Sequence, residues 1–191
     1  KVLGIIGFGS IGQEISRLVA PFDMNILAYD PYIDPKIAEK LGVELTSLEK
    51  LLKESDYVSL HCILTEETRG LIGTDELALM KPTAFLINMS RGPVVDHDAL
   101  VDVLVRRDIA GAGLDVFHQD PLPADDPLTR LDNVVLTPHW AAGTLDAFLE
   151  SGTSNIADML MVARGNLPDH IVNPEVIKRS KFQRKLARFQ R

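Results

Sequence analysis

Cysteine is nearly absent: Cys62 stands alone among 191 residues. An internal disulfide is therefore excluded, and a reducing, cytoplasmic setting is expected. No uninterrupted apolar run approaches the roughly 20 residues of a membrane-spanning helix, so no membrane partner is expected. No signal peptide is expected from the first residues, since Lys1 runs straight into the strand-like VLGIIG. Internal repeats and low-complexity tracts are missing too. Positive charge is scarce over most of the length. The net charge is −7, yet residues 176–191 hold seven Lys/Arg and no acid, so the preceding residues are more acidic than the total suggests. Such a body argues against a nucleic-acid-binding surface. His97 and His170 have no spacing suited to metal ligation, and no metal is expected.

What remains is an ordinary globular mixture, 46% hydrophobic and 25% charged, long enough to bury a proper core. Short apolar runs at 2–7, 25–30, 57–61, 84–88, 111–115 and 133–138 read as strands buried on both faces. Helix patterns fill 11–20, 34–41, 47–53, 74–80 and 97–106, with Pro21 closing the first and Ser47 and Thr74 as N-caps. This alternation predicts an α/β fold, a doubly wound parallel sheet of Rossmann type. A long helix over 144–165 follows, ended by Gly165 and Pro168. In the basic tail, Phe182, Leu186 and Phe189 fit one face of an amphipathic helix for an acidic partner or membrane surface; a frayed, solvated end or a clamp on the acidic body is the favoured reading.

Residues 7–12 read GFGSIG, directly after an apolar strand and opening a helix. Gly7 permits a tight turn, Gly9 lets backbone approach a pyrophosphate, and Gly12 lets the helix pack on the strand. The helix N-terminus offers N–H groups and a positive dipole end to phosphates. Asp30 ends the second strand, where an acid binds both ribose hydroxyls and repels a 2′-phosphate. The cofactor expected is NAD rather than NADP. A structural glycine turn beside an unrelated acid is the plainer alternative.

Ligands of an open α/β sheet bind beyond the carboxyl ends of its strands. Three more ends carry Met89-Ser90-Arg91-Gly92, Asp115 with Asp120 five residues on, and Pro138-His139-Trp140. An arginine anchors a carboxylate and polarises a carbonyl, a histidine donates a proton, and a carboxylate beside it holds its tautomer. That set suits reduction of a 2-keto acid. Plainer readings stay open: a structural ion pair for Arg91, a turn role for Asp120 in DPLPADDP, a satisfied histidine at 139. His61-Cys62 reads as packing beside the adenosine pocket rather than as a nucleophile or metal pair.

The run GFGSIG, LAYDP, VSLH, INMSRGPVVD, GLDVF and LTPH resembles the NAD-binding lobe of the D-isomer-specific 2-hydroxyacid dehydrogenases, the phosphoglycerate, glycerate/hydroxypyruvate, glyoxylate and D-lactate enzymes. The resemblance covers residues 1 to about 175. It implies Arg91 as the substrate-binding arginine, His139 as the acid/base, Asp120 as its carboxylate partner and Asp115 as a partner of the nicotinamide carboxamide. It further implies a cofactor-lining set that includes Ser10, Ile11, Cys62, Ile63, Thr68, Met89, Ser90, Arg91, His139 and Ala142. Departures are Asp120 for the family's Glu, which predicts a longer His–carboxylate contact or a shifted loop, Ile63 for Pro, His118 for an acid, and Trp140 for an aliphatic residue.

The division expected is an NAD lobe over 1–140, a return helix over 141–175 that packs on a substrate lobe in related enzymes, and a basic tail over 176–191. The substrate lobe precedes the NAD lobe in those enzymes and is largely absent from these residues. Three functions follow as expectations: part of an NAD-dependent oxidoreductase acting on small 2-hydroxy or 2-keto acids, a non-catalytic NAD-binding module that forms a homodimer, or a corepressor-like sensor of NAD(H). The isolated chain is expected to bind NAD with little turnover.

Overall fold

All six apolar runs form strands in a computed structural model, which describes residues 1–189. Gln190 and Arg191, the end of the basic tail, lie outside the described residues. The chain forms two compact units, Lys1–Ala141 and Ala142–Arg191.

In the first unit β1 (Val2–Ile6), β2 (Asn25–Tyr29), β3 (Glu44–Leu45), β4 (Tyr57–Leu60), β5 (Phe85–Asn88), β6 (Gly111–Leu114) and β7 (Val134–Leu136) make one parallel sheet, ordered β3-β2-β1-β4-β5-β6-β7. The order reverses between β1 and β4, and that switch point is where such sheets hold ligands. Burial explains the near-continuous apolar runs. Leu3 and Ile5 pack into one hydrophobic cluster with Phe8 and Ala28, while Ile6 packs into the other with Val58, Leu60 and Leu86. Successive side chains thus meet opposite layers, and neither face of the strand is left polar. β3 was not expected: two residues carry no readable periodicity, and only pairing of Leu27 with Glu44 and Ala28 with Leu45 defines it.

The helices are α1 (Ser10–Val19), α2 (Pro35–Lys40), α3 (Leu48–Glu54), α4 (Thr74–Ala78) and α5 (His97–Arg106). Ser47 caps α3 by accepting from Lys50 N at 3.2 Å. The cap of α4 is Gly73 rather than Thr74, because Glu76 reaches back to accept from Gly73 N at 3.1 Å and fixes the start one residue earlier. Pro21 lies in a 3-10 turn, Ala20–Phe22, just past the end of α1.

In the second unit α6 runs Leu145–Ala163, with the Thr144 side chain accepting from Ala147 N. Gly165, at φ 75°, follows its end. The tail is helical over α7, Ser180–Ala187. Its lysine, arginine, glutamine and leucine are good helix formers. Among the described residues no helix is long and apolar enough to cross a membrane.

Candidate cofactor and active site

The glycine loop joins β1 to α1 at the switch point. Gly7 has φ 89°, and a Cβ there would lie 2.4 Å from Cys62 N. Both conditions demand glycine. A Cβ on Gly12 would lie 2.5 Å from Gly7 O, so helix and loop touch backbone to backbone. Gly9 is different: nothing lies within 4 Å of a Cβ built there, and its exposed backbone is open to a ligand. As the N-cap of α1 it supplies no side-chain acceptor, so the N–H groups of the first turn face outward with no cap. These features fit a pyrophosphate.

Asp30 closes the same loop. One carboxylate oxygen accepts from Phe8 N at 2.8 Å and the other from Tyr32 N at 2.9 Å. Gly7, Gly9, Asp30, Cys62, Ile63 and Thr68 line one cavity of about 300 Å³. The Tyr32 hydroxyl donates to Glu67, linking the two walls of that cavity. Thr68 Oγ1 donates to Ile63 O at 2.6 Å, holding the loop in which isoleucine replaces proline. Ile63 itself is exposed. Ser10, Ile11 and Gly12 belong to the helix start beside the cavity rather than to its lining.

His61 and Cys62 form a cavity wall and not a reactive pair. Burial holds the His61 imidazole down at about 4, so it is neutral near pH 7, and its Nε2 lies 2.7 Å from Ser59 Oγ. Burial likewise pushes the Cys62 thiol up, away from the thiolate.

At the end of β5 sequence reading missed Asn88. This side chain is 2% exposed; its Oδ1 accepts from Ser90 N and Ser90 Oγ, both at 3.0 Å, and its Nδ2 donates to Arg91 O at 3.1 Å. Asn88 thereby shapes the loop Met89-Ser90-Arg91. An Asn that ends a strand, shortly before Ser and Arg, is the turn-forming signal that marks it. Ser90 is buried by these bonds, whereas Met89 and Arg91 are exposed. Arg91 Nη1 donates to Ser90 O at 2.6 Å, and among the described residues no carboxylate lies within ion-pair distance of it. The structural ion pair considered for Arg91 does not form. Gly92 follows because a Cβ would sit 1.8 Å from Phe117 O, where this loop meets the one after β6.

His139 and Asp120 are brought together. His139 Nδ1 lies 2.9 Å from Asp120 Oδ2, and the two share a surface cavity with Phe117, Leu122 and Thr137. The shorter acid does not lengthen the contact. His139 sits in left-handed backbone, φ 54°, with its N–H bonded to Thr137 O. The turn residue of DPLPADDP is Asp126, whose Oδ1 accepts from Leu128 N. Asp120 has no such bond; its partner is the histidine.

Asp115 is turned inward. It is 1% exposed, and its carboxylate accepts from Thr137 Oγ1 at 2.5 Å, Trp140 N at 2.8 Å and Ala141 N at 2.9 Å. Burial alone would raise this acid, but those three donors outweigh it and the carboxyl sits below its ordinary range. Through these bonds Asp115 holds the loop that carries His139. Ala142 opens the second unit.

A family model described as "D-isomer specific 2-hydroxyacid dehydrogenase, NAD binding domain" matches residues 1–141. The chain belongs to this dehydrogenase family. It is 48% identical over 178 residues to a glyoxylate reductase of Korarchaeum cryptofilum, covering 93% of this chain and 54% of that one. It is 43% identical over 183 residues to a D-3-phosphoglycerate dehydrogenase of Methanocaldococcus jannaschii, covering 95% and 35%. Among solved structures, a D-lactate dehydrogenase with NAD+ from Lactobacillus jensenii matches with a TM-score of 0.84 and 31% identity, over 91% of this chain and 56% of that one. The dehydrogenase chain thus spans about half the length of the relatives it matches, or less, and the half it holds is the NAD-binding one. NAD is its cofactor, and the glycine cradle, uncapped α1 and Asp30 are the features that fit it.

Among the described residues this dehydrogenase lobe also assembles something the histidine spacing does not announce. His97, His118 and Asp126 come together from α5, the loop after β6 and the turn before β7, with candidate ligand atoms all within 4.8 Å of one another.

Proposed function

We propose that this lobe serves an oxidoreductase that interconverts small 2-hydroxy and 2-keto acids, with Arg91, His139 and Asp120 as its chemical groups and the glycine loop and Asp30 as its hold on NAD. The observation that carries the reading is the 2.9 Å contact between His139 Nδ1 and Asp120 Oδ2. A carboxylate there keeps the proton on Nδ1 and leaves Nε2 to exchange one with a substrate oxygen. Arg91, with no carboxylate in ion-pair distance among the described residues, is available for a substrate carboxylate through its planar fork. Asp115 positions His139 through the backbone of residues 140 and 141. When bound, NAD supplies the hydride acceptor or donor.

The 191-residue polypeptide studied alone is expected to bind NAD(H) yet to turn over slowly. Its His139 and Asp120 side chains are about half and two-fifths exposed, and water at the reacting centre weakens both placement and electrostatics. Steady-state assays with NADH and glyoxylate or hydroxypyruvate test this. Rapid reduction by the isolated chain would contradict the slow-turnover reading. Failure of any longer protein containing the chain to reduce any 2-keto acid would contradict the assigned chemistry.

Self-association belongs to the same proposal. Leu145, Phe148, Leu149, Ile156, Met159 and Leu160 are exposed along α6, and at 100° per residue they share one stripe. A second copy of this chain is the occupant we assign to that stripe. Light scattering after size exclusion is expected to give twice the 21.1 kDa chain mass. A monomeric mass at every concentration would remove the homodimer.

A further inference from the structure

We propose that His97, His118 and Asp126 form a site for a divalent transition-metal ion of the zinc class. Three elements meet here. His97 is the first residue of α5, His118 lies on the loop between β6 and the following turn, and Asp126 caps that turn. The Asp126 side chain is 4% exposed and that of His97 is 19% exposed, so two of the three groups are held in place by burial. His97 Nε2 lies 3.2 Å from Asp126 Oδ2, and the His97 and His118 rings sit 3.9 Å apart, centroid to centroid.

The chemistry of the donors selects the ion. Zinc takes imidazole nitrogen and carboxylate oxygen at about 2.0–2.2 Å, which sets tetrahedral ligands roughly 3.3 Å apart. The 3.2 Å separation of His97 Nε2 and Asp126 Oδ2 already meets that spacing, and the third ligand atom lies within 4.8 Å. His118 is exposed, so its ring can close the remaining distance by side-chain rotation. Two imidazoles disfavour magnesium and calcium, which prefer all-oxygen shells. Asp126 has oxygen to spare: Oδ1 is spent on Leu128 N at 3.0 Å, and Oδ2 remains for a metal. Three protein ligands leave a fourth position for water.

An ion here has a structural consequence. His118 stands two residues before Asp120, so metal bound by His118 and the buried pair would pin the loop that presents Asp120 to His139. The proposal does not depend on the oxidoreductase reading, since it concerns ligands that take no part in that site.

The test uses tag-free, metal-stripped 191-residue chain titrated with zinc against a chromophoric chelator. One zinc per chain is expected. His118→Ala and Asp126→Asn are each expected to weaken binding roughly tenfold or more; Asn keeps an oxygen for the cap, and exposed His118 can be truncated without opening the core. Circular dichroism checks that both variants fold. Cobalt(II), used as a spectroscopic substitute, is expected to give visible d–d absorption that His118→Ala abolishes. Absence of binding in millimolar zinc excess overturns the site and leaves a His97–Asp126 contact with the His118 ring tilted against His97. So does unchanged affinity in either folded variant, which would place zinc elsewhere. Magnesium binding as tight as zinc would overturn the assignment of ion class.

Discussion

At the residue scale, two acids do different work from the same sheet edge. Asp30 offers its carboxylate to Phe8 N and Tyr32 N while lining the cofactor cavity. Asp30→Ala is therefore expected to weaken NAD binding and narrow the preference over NADP, and unchanged affinities in a paired titration would remove it from the site. Asp115 receives three bonds in a buried setting, and Asp115→Ala leaves two backbone N–H groups and a hydroxyl without it. A loss of about 2–4 kcal/mol by urea denaturation is expected. Because its carboxyl is held below the ordinary range, that contribution is present at neutral pH and fades only as pH falls through the lowered value. His61 supplies a second pH signature. Its folded value, about 4, lies below the ordinary 6.5, so the unfolded chain binds the extra proton between them. Stability must fall as pH drops through that window, and His61→Gln is expected to flatten this part of a Tm–pH profile relative to wild type; identical profiles would show that His61 is not the group responsible.

At the element scale, the sheet was legible because its central strands β1, β4 and β6 are buried on both faces and so read as apolar runs. Edge strand β7, also expected to be buried on both faces, exposes Val135 because it has a neighbour on one side only. The glycine loop was legible because backbone contact leaves no choice of residue at Gly7 and Gly12. Gly7→Ala should cost about 2–4 kcal/mol through positive φ and collision with Cys62 N, read as a lowered Tm. β3 was not legible, since pairing with β2 alone makes two residues a strand. Nor was Asn88, which acts through a local turn rather than a family motif. The pairing of Asp120 with His139 was expected with either a longer contact or a shifted loop, and the 2.9 Å separation rules out the longer contact. The His97–His118–Asp126 cluster escaped for a plainer reason, as its members are distant in sequence and only the fold joins them. α7 is basic with Phe182 and Leu186 one turn apart. Deleting 178–191 and measuring mass would show whether that helix contributes to self-association; an unchanged dimer is expected if the α6 stripe is sufficient.

At the scale of the whole molecule, the seven-stranded parallel sheet gathers the glycine loop, Asp30, Arg91, Asp120 and His139 at the carboxyl ends of its strands. The cofactor half of a 2-hydroxyacid dehydrogenase is therefore present as a unit with its own core, and binding should be separable from turnover. NADH fluorescence titration of the 191-residue chain tests this most directly. The account predicts saturable binding of NADH, stronger than that of NADPH. No binding at millimolar NADH, or equal binding of the two, would contradict it.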